Sequence, residues 1–496
     1  MKFQSHFRSS RKSITAGTRF DRRLRLHPLA AGLVLVFAAT APAAGGDTSG
    51  RAVLRGTGSR HAAPFALDPA VTSAISFIVN TCDDPLPLPS TCPANTIEGT
   101  LRQGLLCAQG GTIDLAQLKC SKITLSAPLT IPPVTLALAG PRSDQLTIDA
   151  AGKFRAIVHK PPLYNNGPSL ETLYINNLTI ANGRYDNPGT LFGYAFGGCI
   201  YSTGNVFLNE STVSSCLVSS PVRFSMLGGG AIYAKGLVSL DKSSVTDSKA
   251  LGDNTGTGGA SSSYGGGIYA GIVDLNRSTV SGNTASSAGG SAGGAILGLK
   301  VYAHYSTVSG NQARTGAGIY ARRAYLTDST VSGNHTPSDG LIGGVYASEV
   351  MDVFSCTIAG NTSGGTLAAG LFSGYASPLL KNTIVANNTT DGIEFDVGTG
   401  NGLAILGSNN LIMVAKATTA VPADTISADP LLGPLGDNGG ATLTRTLLPG
   451  SPAIDKGGTT GLSFDQRDLP RVVGDKVDIG AVEFDPDSIF GNSFDL

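Results

Sequence analysis

The side chains best suited to holding a sugar in this 496-residue chain are Asp274, Tyr302, His304, Arg323, Tyr325 and Asp352. A tyrosine ring offers a flat apolar face to the C–H side of a pyranose and a hydroxyl to its oxygens. Carboxylates ask for stricter geometry: glycoside hydrolysis needs two of them, roughly 5–9.5 Å apart. Elimination on a uronate needs carboxylates around Ca²⁺ and a basic residue that takes the proton. The elements that carry the six residues decide which of these chemistries is open to them.

Those elements repeat. "RSTVSGN" (277–283), "YSTVSGN" (305–311) and "DSTVSGN" (328–334) are followed by the related "SCTIAGN" (355–361). Aligned on their central apolar residue, the copies run Ile180, Val213, Val245, Val280, Val308, Val331, Ile358 and Ile384. Most are preceded by a Gly-rich phrase with an apolar residue, such as "GGGIY" or "GAGIY". Apolar residues alternate over short runs and no helical period persists, which predicts three strands of three to five residues per unit. Units that bury a ring of side chains only by stacking on one another form a solenoid. The expected fold is all-β, a single right-handed parallel β-helix.

Stacked coils lie about 4.8 Å apart, so equivalent residues pile into ladders. Asn283, Asn311, Asn334 and Asn361 end the phrase in four successive coils and are expected to form a structural asparagine ladder at the corner. Six residues before each anchor the side chain should point outward, which gives the stripe Phe207, Ser239, Asp274, Tyr302, Tyr325, Asp352 and Pro378. Asp274 and Asp352 are then three coils, or about 14 Å, apart, too far for a hydrolytic pair. The stripe is a candidate glycan-binding face, beside the plainer reading that tyrosine suits outward strand positions and the charges are solvated.

The chain divides around this array. Residues 1–43 carry eight basic residues and then the apolar run "LAAGLVLVFAATAPAAG", the pattern of a cleaved export signal rather than a membrane span. A flexible segment is expected over 44–70 and an N-terminal cap over 71–125, with a short helix within 96–109. Coils should fill 126–391, an irregular region closing the last coil 392–484, and a tail 485–496. Cys82, Cys92, Cys107 and Cys120 cluster in the cap and are expected to pair among themselves, with a further bridge between Cys199 and Cys216 and Cys356 left over. Without residues 1–43 the chain has 27 basic and 34 acidic residues. That balance gives no electrostatic footprint for nucleic acid. The glycine runs lie in loops with no helix to follow, and no Cys or His spacing matches a zinc site. No cofactor is expected. Asp429, Asp437, Asp465 and Asp468 could hold Ca²⁺, but turn and cap duties explain them more simply.

The phrases "NTIVANN" (382–388), "SNNLI" (408–412), "DPLLGPLGDNGG", "LLPGSPAIDKG", "DQRDLPR" and "DIGAVEF" resemble the closing region of bacterial secreted choice-of-anchor Q domain proteins. The "GGAI" and "SGN" units are similar to polymorphic outer-membrane-protein repeats. The resemblance, over about residues 95–484, implies a β-helix exported from a Gram-negative cell, secreted or held at the outer membrane or cell surface. It implies no uniform activity. The expected function is non-catalytic surface presentation or adhesion, with an extracellular or envelope polysaccharide as partner. The alternative is a polysaccharide lyase or glycoside hydrolase on the same scaffold.

Overall fold

A computed structural model describes residues 75–486, apart from 88–90, 188, 190–192 and 254–260. The expected export signal, the segment 44–70 and the tail from 487 onward lie outside the described residues. The chain winds into a parallel β-helix. Each coil places one stretch in a long sheet, 18-stranded among the described residues, and the "STVS" stretch in a second, 11-stranded sheet. Two further sheets of four short strands complete four of the coils.

The anchors stack in unbroken parallel register, Ile180 on Val213, Val245, Val280, Val308, Val331 and Ile358. The last step differs from expectation. Val385, not Ile384, pairs with Ile358, so the outward position in that coil is Leu379 rather than Pro378. The strands of the long sheet also exceed the expected three to five residues: Ile232–Asp241, Ile268–Asn276, Ile296–His304, Ile319–Thr327 and Val345–Phe354 are single strands of 9 or 10. The Gly-rich phrase and the run after it are one element. In Ile268–Asn276, Ile268, Ala270, Val273 and Leu275 are all buried, so one extra residue near Gly271 shifts the phase of the alternation. That shift makes a single strand read as two.

A single residue in the left-handed region turns each coil from the long sheet into the STVS sheet. In four successive coils it is Arg277, Tyr305, Asp328 and Ser355, with φ of 46, 51, 43 and 50°. The next corner uses Gly282, Gly310, Gly333 and Gly360 at φ of 64–70°, where the absent Cβ makes the turn inexpensive. Beside it runs the asparagine ladder. Asn283 Nδ2 donates to Asn311 Oδ1 at 3.0 Å, and Asn311 to Asn334 and Asn334 to Asn361 at 2.8 and 2.9 Å. Each Oδ1 also accepts the backbone N–H of the preceding asparagine. The ladder is longer than expected. Asn361 passes to Asn388, and Asn388 ends on the buried carboxylate of Asp396.

The cap region holds the expected helix, but its strands already belong to the coils: Gly111–Asp114 and Lys122–Thr124 pair in parallel with Leu136–Ala139 and Thr147–Asp149, so the coils begin before residue 126. The helix is Leu101–Cys107, started by a capping box in which Thr100 and Gln103 satisfy each other's backbone N–H. Gly104 is where Phe77 packs, a Cβ there falling 2.8 Å from its ring. Disulfides join Cys82 to Cys120, Cys92 to Cys107 and Cys199 to Cys216, and Cys356 is buried and free. Three disulfides fit an oxidising, extracytoplasmic compartment.

The C-terminal region departs most from expectation. It caps the last coil only as far as about Ile426, which bridges to Leu411. The chain then runs back over the outer face of the STVS sheet. Thr307 Oγ1 donates to the Leu443 carbonyl, Thr330 Oγ1 to Gln466 Oε1, and the Ala481 N–H to Thr357 Oγ1. Residues 442–481 thus cover several coils from the side.

Candidate functional site

The outer face of the long sheet carries the stripe. In its centre five strands run uninterrupted from Ile232 to Phe354, whereas the coils on either side break the strand with an inserted loop. One such loop, 160–171, leans along the face, where Lys235 Nζ donates to the Asn166 carbonyl. The other is 374–378, with Tyr375 exposed.

On the open strands Asp274, Tyr302, Tyr325 and Asp352 occupy equivalent positions in four consecutive strands, as the repeat register predicts. The two tyrosine rings stack at 4.9 Å with an interplanar angle of 11°. Both aspartates are half-buried, and burial shapes their acidity. The Asp274 carboxyl is pushed up to about 6, first by burial and then by Asp241 one strand back; burial alone raises Asp352. His304 lies two residues beyond Tyr302 on the same face, between Asn276 and Thr327. Arg323 lies two residues before Tyr325, opposite Lys300 of the neighbouring strand. The six predicted residues share one sheet face, and three rungs separate Asp274 from Asp352.

Glu349, Asp241 and a second aromatic row on this face escaped sequence reasoning. Arg322 and Arg323 both direct Nε to the carboxylate of Glu349. Asn276 Nδ2 donates to Asp241 Oδ1 at 2.5 Å, behind Asp274. A second aromatic row comes from the tyrosine of the Gly-rich phrase: Tyr201, Tyr233, Tyr269, Leu297, Tyr320, Tyr346 and Phe372 are in register, and Tyr320 stacks on Tyr346 at 4.7 Å. The regular "IY" of that phrase was the available signal. The two rows are five or six residues, or about 16–20 Å, apart along the strands.

The candidate Ca²⁺ carboxylates are used otherwise. Asp429 and Asp437 accept the backbone N–H groups of Leu431 and Gly439 in turns, and Asp468 pairs with Arg277 at 2.6 Å. Asp465 accepts from the buried Arg467 side chain and from the Glu483 N–H. Beside it Arg471, only 1% exposed, stands 3.5 Å from Asp328 and 3.4 Å from Glu483. Burial pushes the Asp328 carboxyl up to about 7 and that of Glu483 to about 8, with Arg471 opposing both shifts. This buried ionic cluster fastens the cover to the coils. Among the described residues no group of three or more His, Cys, Asp or Glu is arranged to hold a metal ion, and no helix is long and apolar enough to cross a membrane. Comparison with protein families, with curated proteins and with solved structures finds no match to this chain.

Proposed function

We propose that this chain is an exported β-helix protein of the choice-of-anchor Q type, secreted or held at the cell surface, that binds extracellular polysaccharide on the outer face of its long sheet. It acts by presenting that face, without catalysis. The observation that carries the reading is the stacked pair Tyr302 and Tyr325, held between Asp274 and Asp352 on uninterrupted strands. Stacked rings give sugars an apolar platform, and the flanking carboxylates accept hydrogen bonds from sugar hydroxyls. The distance of three rungs between the two aspartates argues against a hydrolytic pair.

One observation favours a catalytic reading. Asp274, with a carboxyl near 6 and Asp241 behind it, has the acidity of a general acid. Incubating the purified protein with a panel of acidic and neutral polysaccharides separates the two. The expected result is retention without released oligosaccharides, with binding lost in Tyr302→Ala and Tyr325→Ala. Release of products that stops in Asp274→Asn would replace presentation with catalysis.

A further inference from the structure

We infer that the polysaccharide bound on this face is an acidic one, whose carboxylates are taken by Lys300, Arg322 and Arg323; the inference rests on the glycan-binding reading above. The three cations occupy the strip between the two aromatic rows. Lys300 and Arg323 are strand partners, and each lies two residues before a tyrosine of the stacked pair, so the four side chains leave the sheet on the same side. Arg322 sits at the bulge beside them and is exposed.

A single carboxylate answers them. Glu349 takes only the Nε–H of each arginine, so the outer Nη groups of both guanidiniums have no protein partner among the described residues. Lys300 has no ion-pair partner there either. Asp274 and Asp352 stand two residues farther along the flanking strands, so the three cations form a positive strip bounded by carboxylates rather than a net positive face. The open edge of a guanidinium matches a carboxylate in planar, two-point fashion, which neutral sugars cannot exploit. The step from Arg323 to Tyr325, or from Lys300 to Tyr302, is two residues, about 6.6 Å along the strand. A uronate lying on the tyrosine rings would therefore direct its carboxyl group at the cations. Asp274 and Asp352, at either end of the tyrosine pair, repel a second carboxylate on the adjoining rungs and favour the hydroxyls of neighbouring sugars. The cations thus choose the polymer, and the aspartates set its position.

Affinity electrophoresis through gels containing polygalacturonate, its fully methyl-esterified form or a neutral glucan tests this directly. Retention is expected on polygalacturonate alone, and it should weaken as ionic strength rises. The double substitution Lys300→Gln with Arg323→Gln should weaken it about tenfold or more. Glu349→Gln, which frees both arginines, should strengthen it, a gain that misfolding cannot imitate. Equal retention on the esterified polymer, unchanged in the double variant, would overturn the acidic class and leave the tyrosine platform standing. Absence of retention on every polymer would overturn both readings.

Discussion

Residues 278–283, 306–311 and 329–334 spell the same six letters, STVSGN, yet the three copies live in different surroundings. In the first, Thr279 and Ser281 alternate with a buried Val280 and stay half-open to solvent. In the other two, Thr307, Ser309, Thr330 and Ser332 are buried as fully as the valines between them. The phrase sets strand, register and corner in all three coils. Its outer side is decided elsewhere, by residues more than a hundred positions away that lie across it. Threonine tolerates both fates because its hydroxyl stays half-open to solvent in one case and bonds the Leu443 carbonyl or Gln466 in the others.

If the cover makes the difference, disturbing it should affect the covered copies and spare the open one. The largest effect is expected from Arg471→Met at about pH 9, where Asp328 and Glu483 are ionised and would be left buried without their counter-charge. A loss of about 3–5 kcal/mol in urea unfolding, with protease cleavage appearing within 427–486, is the expected outcome. A loss below about 1 kcal/mol would mean that the ionic cluster does not fasten the cover. Next in size is pH. The carboxyls of Asp328 and Glu483 are raised by burial to about 7 and about 8, so both favour the covered state when protonated. Their stabilisation is complete below the ordinary carboxyl range near pH 4 and is lost as pH rises through 7 to 8. Hydrogen exchange at the Gly480 and Ala481 amides, corrected for intrinsic rates, should therefore be slower at about pH 5 than at about pH 8. A rate that falls with rising pH would reverse the assignment. The smallest effect gives the cleanest contrast. Thr330→Val leaves the buried Gln466 Oε1 without its donor and should cost about 1–3 kcal/mol, whereas Thr279→Val, the same letter of the same phrase, should stay within about 0.5 kcal/mol. Equal costs at the two sites would refute the comparison.

Much of the coil was legible because stacking imposes like on like. Val280, Val308 and Val331 declare the register, and the recurring asparagine declares the corner. The register slipped where "NTIVANN" offers two adjacent apolar residues and two adjacent asparagines: Val385 and Asn388 continue the ladders, and the choice between neighbours depends on the coil beneath. The tyrosine stripe was legible for the same reason that the register was. Lys300 and Glu349 were not, since a bulge shifts the phase beside them and charged residues on an outer face look alike in sequence. Least legible was "DQRDLPR". Its charges suggest a solvated turn, and only the fold shows Asp465, Arg467 and Arg471 sealed against Asp328 and Glu483.

The cover also acts as a ruler. Because each asparagine amide bonds its own coil and the two coils next to it, a whole unit gained by duplication before Asn276 could join the ladder and lengthen the protein without touching residues 442–481. A unit gained between Tyr305 and Asn382 would push apart the threonines that Gln466 and Ala481 engage by about 4.8 Å, beyond the reach of those bonds. Length is thus free to vary over evolution at one end of the coil stack and held fixed at the other. The most variable part of the solenoid should be the part that is left uncovered.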